Sequence, residues 1–168
     1  MLLAAAAFAS VGGGQQIPAT QAKTLAGTSV SFPDAASGKP LLFVIGFSHK
    51  GGEQCESWNK KLSSLYLNDS RVWYYEAADF QGVPSLILKM ILHGMRKEIP
   101  ANQHPRFVLL ESNEQEWKKL ANYSAPDDAY VILASPSGRL VWQTKGPMDP
   151  PQVEALQAAL AKLEARAG

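Results

Sequence analysis

The chain has a single cysteine, Cys55, among its 168 residues. One thiol cannot close an intramolecular disulfide, nor supply the paired sulfurs of a dithiol exchange site. Stability must therefore come from the hydrophobic core. Charge of either sign is also scarce in net terms. Sixteen basic against fifteen acidic side chains leave a formal charge of +1, too little for the broad field that recruits nucleic acid or an anionic membrane. The three histidines, His49, His93 and His104, are scattered over a loop, a helix and another loop, a poor start for a metal site. No Walker or dinucleotide-type glycine fingerprint occurs, and no internal repeat. No cofactor, metal or nucleic acid is expected.

A long apolar run is missing as well. MLLAAAAFAS at the start is too short to span a bilayer and has the look of the apolar part of an export signal, with AFA as a cleavage site. The positively charged front of such a signal is absent. Residues 1–20 are therefore expected to be a truncated signal peptide and linker, and residues 21–168 a single domain with no stable membrane span. An exported, periplasmic or membrane-associated location follows from that reading. The apolar content of 46% suits one well-buried core.

What is present is regular alternation. Residues 12–40 hold much of the glycine, serine and proline and read as an irregular lead-in, with a short hairpin near Thr28 to Phe32. LLFVIGF (41–47) is an uninterrupted apolar run, as a strand covered on both faces requires. From Gln54 to Tyr66, Trp58, Leu62, Leu65 and Tyr66 mark one face of a helix. RVWYYEA (71–77) is a second strand. PSLILKMILHGMRK (84–97) is a helix opened by Pro84 and interrupted at Gly94. RFVLLE (106–111) and EQEWKKLANY (114–123) form the next strand and helix. AYVILA (129–134) and RLVWQT (139–144) flank SPSG, a hairpin turn. After Asp149, Val153, Leu156, Leu160 and Leu163 line a last helix. The order β-α-β-α-β-α-β-β-α predicts an α/β fold, a mostly parallel central sheet closed by an antiparallel C-terminal hairpin, with helices on both faces.

From about Leu25 to Leu163 that layout resembles the thioredoxin-like superfamily, in the larger form shared by peroxiredoxins and membrane-tethered thiol oxidoreductases. The matching pieces are LLFVIGF followed by Cys55, then Tyr123 to Ala134, then SPSGRLVW with KGPMDPPQVEAL. CESW, LHGMRKEIP and AYVILASPSGRLVW also look like the mitochondrial ATP-synthase assembly-factor branch, whose members lack an obvious redox motif. The resemblance implies a site at the turn from the first apolar strand into its helix. A thioredoxin-type site needs two cysteines separated by two residues. With Cys55 as the second, Gly52 stands at the nucleophile's place; with Cys55 as the first, Trp58 stands at the resolving place. Ala129 occupies the position of the family's cis-proline. A peroxiredoxin needs a hydroxyl where Gly52 stands and an arginine near the sulfur, for which Arg106 and Arg139 are candidates. GVPS (82–85) mimics the peroxiredoxin proline motif and is read as a decoy.

Cys55 is expected in the first turn of its helix, where free amides and the helix dipole lower a thiol pKa, helped by Lys50, Lys60 or Lys61. Glu53 and Glu56 oppose that, and a lone cysteine is often a small buried hydrophobe. His49 would make a Cys-His pair with Cys55 only if the loop folded back. MRKEIPANQHPR concentrates positive charge, either as a solvated face or as a docking surface for an acidic partner. The four tryptophans, one per element, read as core anchors. The expected function is a thioredoxin-like domain without the dithiol site, acting as a non-redox binding or assembly/chaperone-like factor with a protein partner. The alternative is a one-cysteine thiol peroxidase in which Cys55 is catalytic and passes through a sulfenic acid.

Overall fold

The computed structural model describes residues 14–167. Most of the expected leader, residues 1–13, lies outside the described residues. From Gln16 onward the chain is already engaged with the fold. Gln16 bridges Arg139, Ile17 is buried, and the Ile17 amide donates to the Gly138 carbonyl at 2.8 Å.

Seven strands form one sheet: β1 (Thr20–Thr24), β2 (Ser29–Phe32), β3 (Leu41–Gly46), β4 (Trp73–Asp79), β5 (Phe107–Leu110), β6 (Ala129–Ala134) and β7 (Leu140–Lys145). Four α-helices accompany them: α1 (His49–Tyr66), α2 (Ser85–Glu98), α3 (Glu114–Leu120) and α4 (Pro150–Ala167). The strand order is β2-β1-β5-β4-β3-β6-β7. Only β3 with β4 and β4 with β5 pair in parallel. The other four pairings are antiparallel, which corrects the expectation of a mostly parallel sheet. Two connections account for it. The lead-in, expected to be irregular but for a short hairpin near Thr28 to Phe32, is a full β1/β2 hairpin from Thr20 to Phe32, turning at Gly27 with φ of +84°, and it adds antiparallel to β5. The chain then returns from β5 through α3 to lay β6 against β3, on the far side of the parallel trio. The C-terminal β6/β7 hairpin forms as expected.

Burial explains the layering. All six residues of β3 and all six of β6 are buried, because both faces of the sheet are covered. On one face α1 and α4 pack over Leu42, Val44, Tyr74, Val131 and Leu133. Tyr74 and Ala78 lie four residues apart in β4 and so point to the same side; Ala78 lies under α2, with Leu92, Phe107 and Leu109. Right-handed crossovers put α1 and α2 on that common face. The opposite face is closed by α3 through Trp117 and Leu120, and by the lead-in through Ile17 and Phe32.

Three local expectations change. First, α1 starts at His49 and runs through Gly51 and Gly52, because Ser48 caps it: its side chain accepts the Gly51 amide at 2.9 Å. Second, α2 continues unbroken through Gly94; one glycine costs a helix only about 1 kcal/mol, less than the Leu88, Leu92, Met95 and Ile99 seam recovers on the core. Third, Trp58, Trp117 and Trp142 are buried anchors, but Trp73 is half-buried, with Arg106 over its ring at 4.2 Å and Lys39 at 4.6 Å. Among the described residues no helix is long and apolar enough to cross a membrane.

Candidate functional site

Where β3 turns into α1, the chain runs Phe47-Ser48-His49-Lys50-Gly51-Gly52. Free amides and the positive end of the dipole are confined to this first turn. A sulfur that drew on them would stand at the cap or in the first turn, where Ser48 and Gly51 are. The Ser48 hydroxyl is committed twice: it accepts from the Gly51 amide and donates to the Pro126 carbonyl at 2.6 Å. Gly51 is buried, and a Cβ there would stand 2.9 Å from the Pro126 carbonyl oxygen and 3.1 Å from that of Asp128. A side chain at 51 therefore requires the backbone of 126–128 to move.

That facing segment is itself held firmly. The Ala129 amide donates to the Gln54 side chain at 2.6 Å. The Tyr130 hydroxyl accepts the Ser124 and Ala125 amides, both at 3.0 Å, and donates to the Ala125 carbonyl at 2.8 Å. Phe47, Tyr123 and Tyr130 form an aromatic trio with centroid separations of 5.4 to 5.7 Å. Lys118, paired with Glu114, lies 4.7 Å over the Tyr123 ring, and Lys145 donates to the Ser124 hydroxyl at 2.6 Å. Among the described residues the one cis peptide bond, Phe32–Pro33, lies elsewhere.

Cys55 is not in the first turn. With α1 beginning at His49, it falls at the end of the second turn, on the inner side of the helix and only 4% exposed. It packs in the cluster that holds Val44, Trp58 and Val131. Burial, and then the charge of Glu76, push its thiol up to about 12, so it is protonated at neutral pH. Lys50, Lys60 and Lys61 are exposed and are not among the influences on the sulfur. His49 points to solvent, its side chain 90% exposed, with Nδ1 3.4 Å from Glu53. Six residues along a helix leave two side chains about 120° apart around its axis, so His49 and Cys55 point in different directions, one to solvent and one to the core. Arg106 reaches the Tyr75 hydroxyl at 3.4 Å and stacks on Trp73, on the other face of the sheet. Arg139 sits at the β6/β7 turn with its amide on the Ser135 hydroxyl. Neither guanidinium approaches the sulfur. Gly82 to Ser85 merely lead into α2, with Pro84 at its cap.

One charged residue escaped notice in the sequence. Glu76 of β4 is 7% exposed and is the only buried carboxyl group among the described residues. Desolvation raises its pKa to about 7, opposed by a hydrogen bond from Tyr74. The Tyr74 hydroxyl lies 2.8 Å from Asn59 Oδ1 and 3.5 Å from Glu76 Oε1. Cys55, Tyr74 and Glu76 thus lie together under α1: the Glu76 charge makes both the Cys55 thiol and the Tyr74 hydroxyl harder to ionise, while the Tyr74 hydroxyl eases the ionisation of Glu76. The available signal was parity: Glu76 alternates with Tyr74 on one face of a strand whose neighbours are aromatic. Among the described residues no group of histidine, cysteine and carboxylate side chains is placed to hold a metal.

A family model described as ATP10 protein matches residues 14–163. No curated protein sequence matches the chain. Solved structures do. The exposed lipoprotein thioredoxin Etrx1 of Streptococcus pneumoniae is 12% identical, with a TM-score of 0.56 over 84% of this chain and 97% of that one. The thioredoxin domain of a thiol-disulfide oxidoreductase from Bacteroides vulgatus is 19% identical, with a TM-score of 0.55 over 88% and 96%. BsSco, a member of the Sco family of cytochrome c oxidase assembly proteins, is 12% identical, with a TM-score of 0.56 over 91% and 94%. At such identities the likeness is one of fold, and the fold is thioredoxin-like.

Proposed function

The chain belongs to the ATP10 protein family, and from that premise we propose that it works as an assembly factor that binds other proteins and performs no thiol-disulfide chemistry. The observation that carries this reading is the state of the helix start. A capping serine and a sealed glycine stand where exchangeable sulfurs would be. The single thiol lies a turn deeper, protonated and covered. A thiolate is the species that attacks disulfides and peroxides, and a thiol pushed up to about 12 supplies very little of it at neutral pH. Cys55 is then a core residue. The same scaffold serves assembly elsewhere, as BsSco's membership of a family of assembly proteins illustrates, and a shared fold hosts unrelated activities.

The resemblance to ATP-synthase assembly factors names the complex whose subunits would be the clients. A location at or beyond a membrane where such a complex is built fits that role. The test compares wild type with Cys55→Ala, which removes the sulfur while keeping the site apolar. Native-state alkylation of Cys55 between pH 7 and pH 8 is expected to be slow and limited by unfolding. The variant is expected to support assembly of the complex as wild type does in cells lacking the endogenous protein. Rapid labelling at neutral pH, with peroxide consumption by the purified protein that Cys55→Ala abolishes, would replace this reading with the thiol-peroxidase one.

A further inference from the structure

Helix α2 is apolar on two sides. Its inner seam of Leu88, Leu92, Met95 and Ile99 packs on Leu25, Phe107 and Leu109. Its outer side presents Leu86, Ile87, Met90 and Ile91, which are 71%, 50%, 70% and 38% exposed. These four fall in i, i+4 pairs on adjacent turns and form one contiguous patch. The following turn places Gly94 beside them, and nothing lies within 4 Å of where its Cβ would be. A small residue next to large apolar ones lets a second helix approach closely and seat its side chains against the backbone.

The polar surroundings are asymmetric. At 100° per residue, Lys89, His93 and Arg96 lie beside the patch on one side, with Arg96 Nε donating to the Leu25 carbonyl at 3.0 Å; in the last turn Lys97 follows the Leu86 and Met90 row and Glu98 the Ile87 and Ile91 row. The last turn carries both Arg96 and Lys97. We infer that this face docks an apolar α-helical segment of a partner protein whose acidic residues lie along the edge meeting Lys89, His93 and Lys97. Charge complementarity selects that occupant. A second copy would bring Lys89, Arg96 and Lys97 with a single carboxylate, Glu98, against the same set, leaving most of the cations unmatched. The chain's own first 13 residues contain no acidic side chain and leave the cations unmatched. An anionic bilayer would meet the Glu98 carboxylate on the side away from the cations, whereas a helix can present opposite signs to the two sides. The inference rests on the assembly-factor reading and names the surface that reading requires.

The test uses the full chain and, as probe, a fluorescent helical peptide of about 20 residues, with leucine and alanine on one face and glutamates along one edge. Saturable binding by anisotropy is expected, weakened at least about tenfold by Leu86→Glu with Met90→Glu, and weakened also by Gly94→Leu or by exchanging the peptide's glutamates for lysines. Cys55→Ala is expected to bind as wild type does. Circular dichroism is expected to show the patch variants folded, Leu86 and Met90 being exposed and Gly94 having open space beside it. Failure of wild type to bind the peptide, or equal binding by the patch variant, overturns the inference. So does patch-dependent binding to phosphatidylcholine/phosphatidylglycerol vesicles without peptide binding, which assigns the face to a bilayer. A patch-dependent dimer in sedimentation, which assigns it to a second copy, has the same effect. Peroxide turnover lost in Cys55→Ala, with peptide binding intact, removes the assembly-factor reading and leaves the docking face standing.

Discussion

Replacing each of two neighbouring glycines by alanine separates the tertiary seal at the start of α1 from ordinary helix propensity. Both Gly51 and Gly52 are helical, and in a helix alanine is favoured over glycine by about 1 kcal/mol. At Gly52 nothing lies within 4 Å of the added Cβ, so Gly52→Ala is expected to stabilise the protein by up to about 1 kcal/mol. At Gly51 the same atom meets the carbonyl oxygens of Pro126 and Asp128 at 2.9 and 3.1 Å. Those atoms are backbone, pinned by the Ser48 and Gln54 hydrogen bonds, and cannot swing aside as a flexible side chain would. Overpacking of this kind costs about 1–3 kcal/mol. The propensity gain is common to both substitutions, so their difference isolates the clash, again about 1–3 kcal/mol. In thermal melts that is a gap of roughly 2 to 10 °C for a chain of this size. Urea unfolding of the two variants, with equal m-values, measures it directly. A Gly51→Ala protein as stable as Gly52→Ala would refute the idea that the 126–128 segment closes the site. It would also imply that a cysteine could be installed there without disturbance.

Two further outcomes follow from the buried groups. Glu76 has its folded-state pKa raised from 4.5 to about 7. The folded protein therefore binds the proton more tightly than the unfolded chain, and stability falls as pH rises from about 4.5 to about 7, then levels off. The effect is of order 3 kcal/mol; Glu76→Gln is expected to remove that slope and to be the more stable protein at pH 8, and urea titrations at pH 5 and pH 8 that show parallel behaviour in the two proteins would contradict it. Trp58 is fully buried and its Nε1 donates to the Gly146 carbonyl at 2.9 Å, so Trp58→Phe leaves an orphaned carbonyl and a void, at a cost of about 2–4 kcal/mol. Chemical denaturation checks this, and a loss below about 0.5 kcal/mol would mean that α1 is not anchored to the β7–α4 loop.

Several features were legible because they are local. The run LLFVIG, apolar at every position, allows only a strand covered on both sides, and all six residues are buried. Ser135 and Gly138 carry their own turn chemistry, and the amide of Gly138 does close onto the Ser135 carbonyl at 2.9 Å. The start of α1 was misjudged because two adjacent glycines argue against a helix, while the Ser48 cap and the close approach of the 126–128 carbonyls, nearly 80 residues away in sequence, argue for one. In α2 the segment LILKMIL is apolar on both sides, so periodicity could not say which stripe meets the sheet and which meets solvent.

Composition and spacing alone determined that there is one sulfur with no second one in reach along the chain, and an alternation of strands and helices; the thioredoxin-like layout came from resemblance to a known family. How deep that sulfur lies, and that Glu76 of strand β4 is brought near it, was decided by packing α1 and α4 over the central strands. Exposure and pKa depend on which distant residues are brought alongside a group, and a linear pattern records what each residue is but not what covers it.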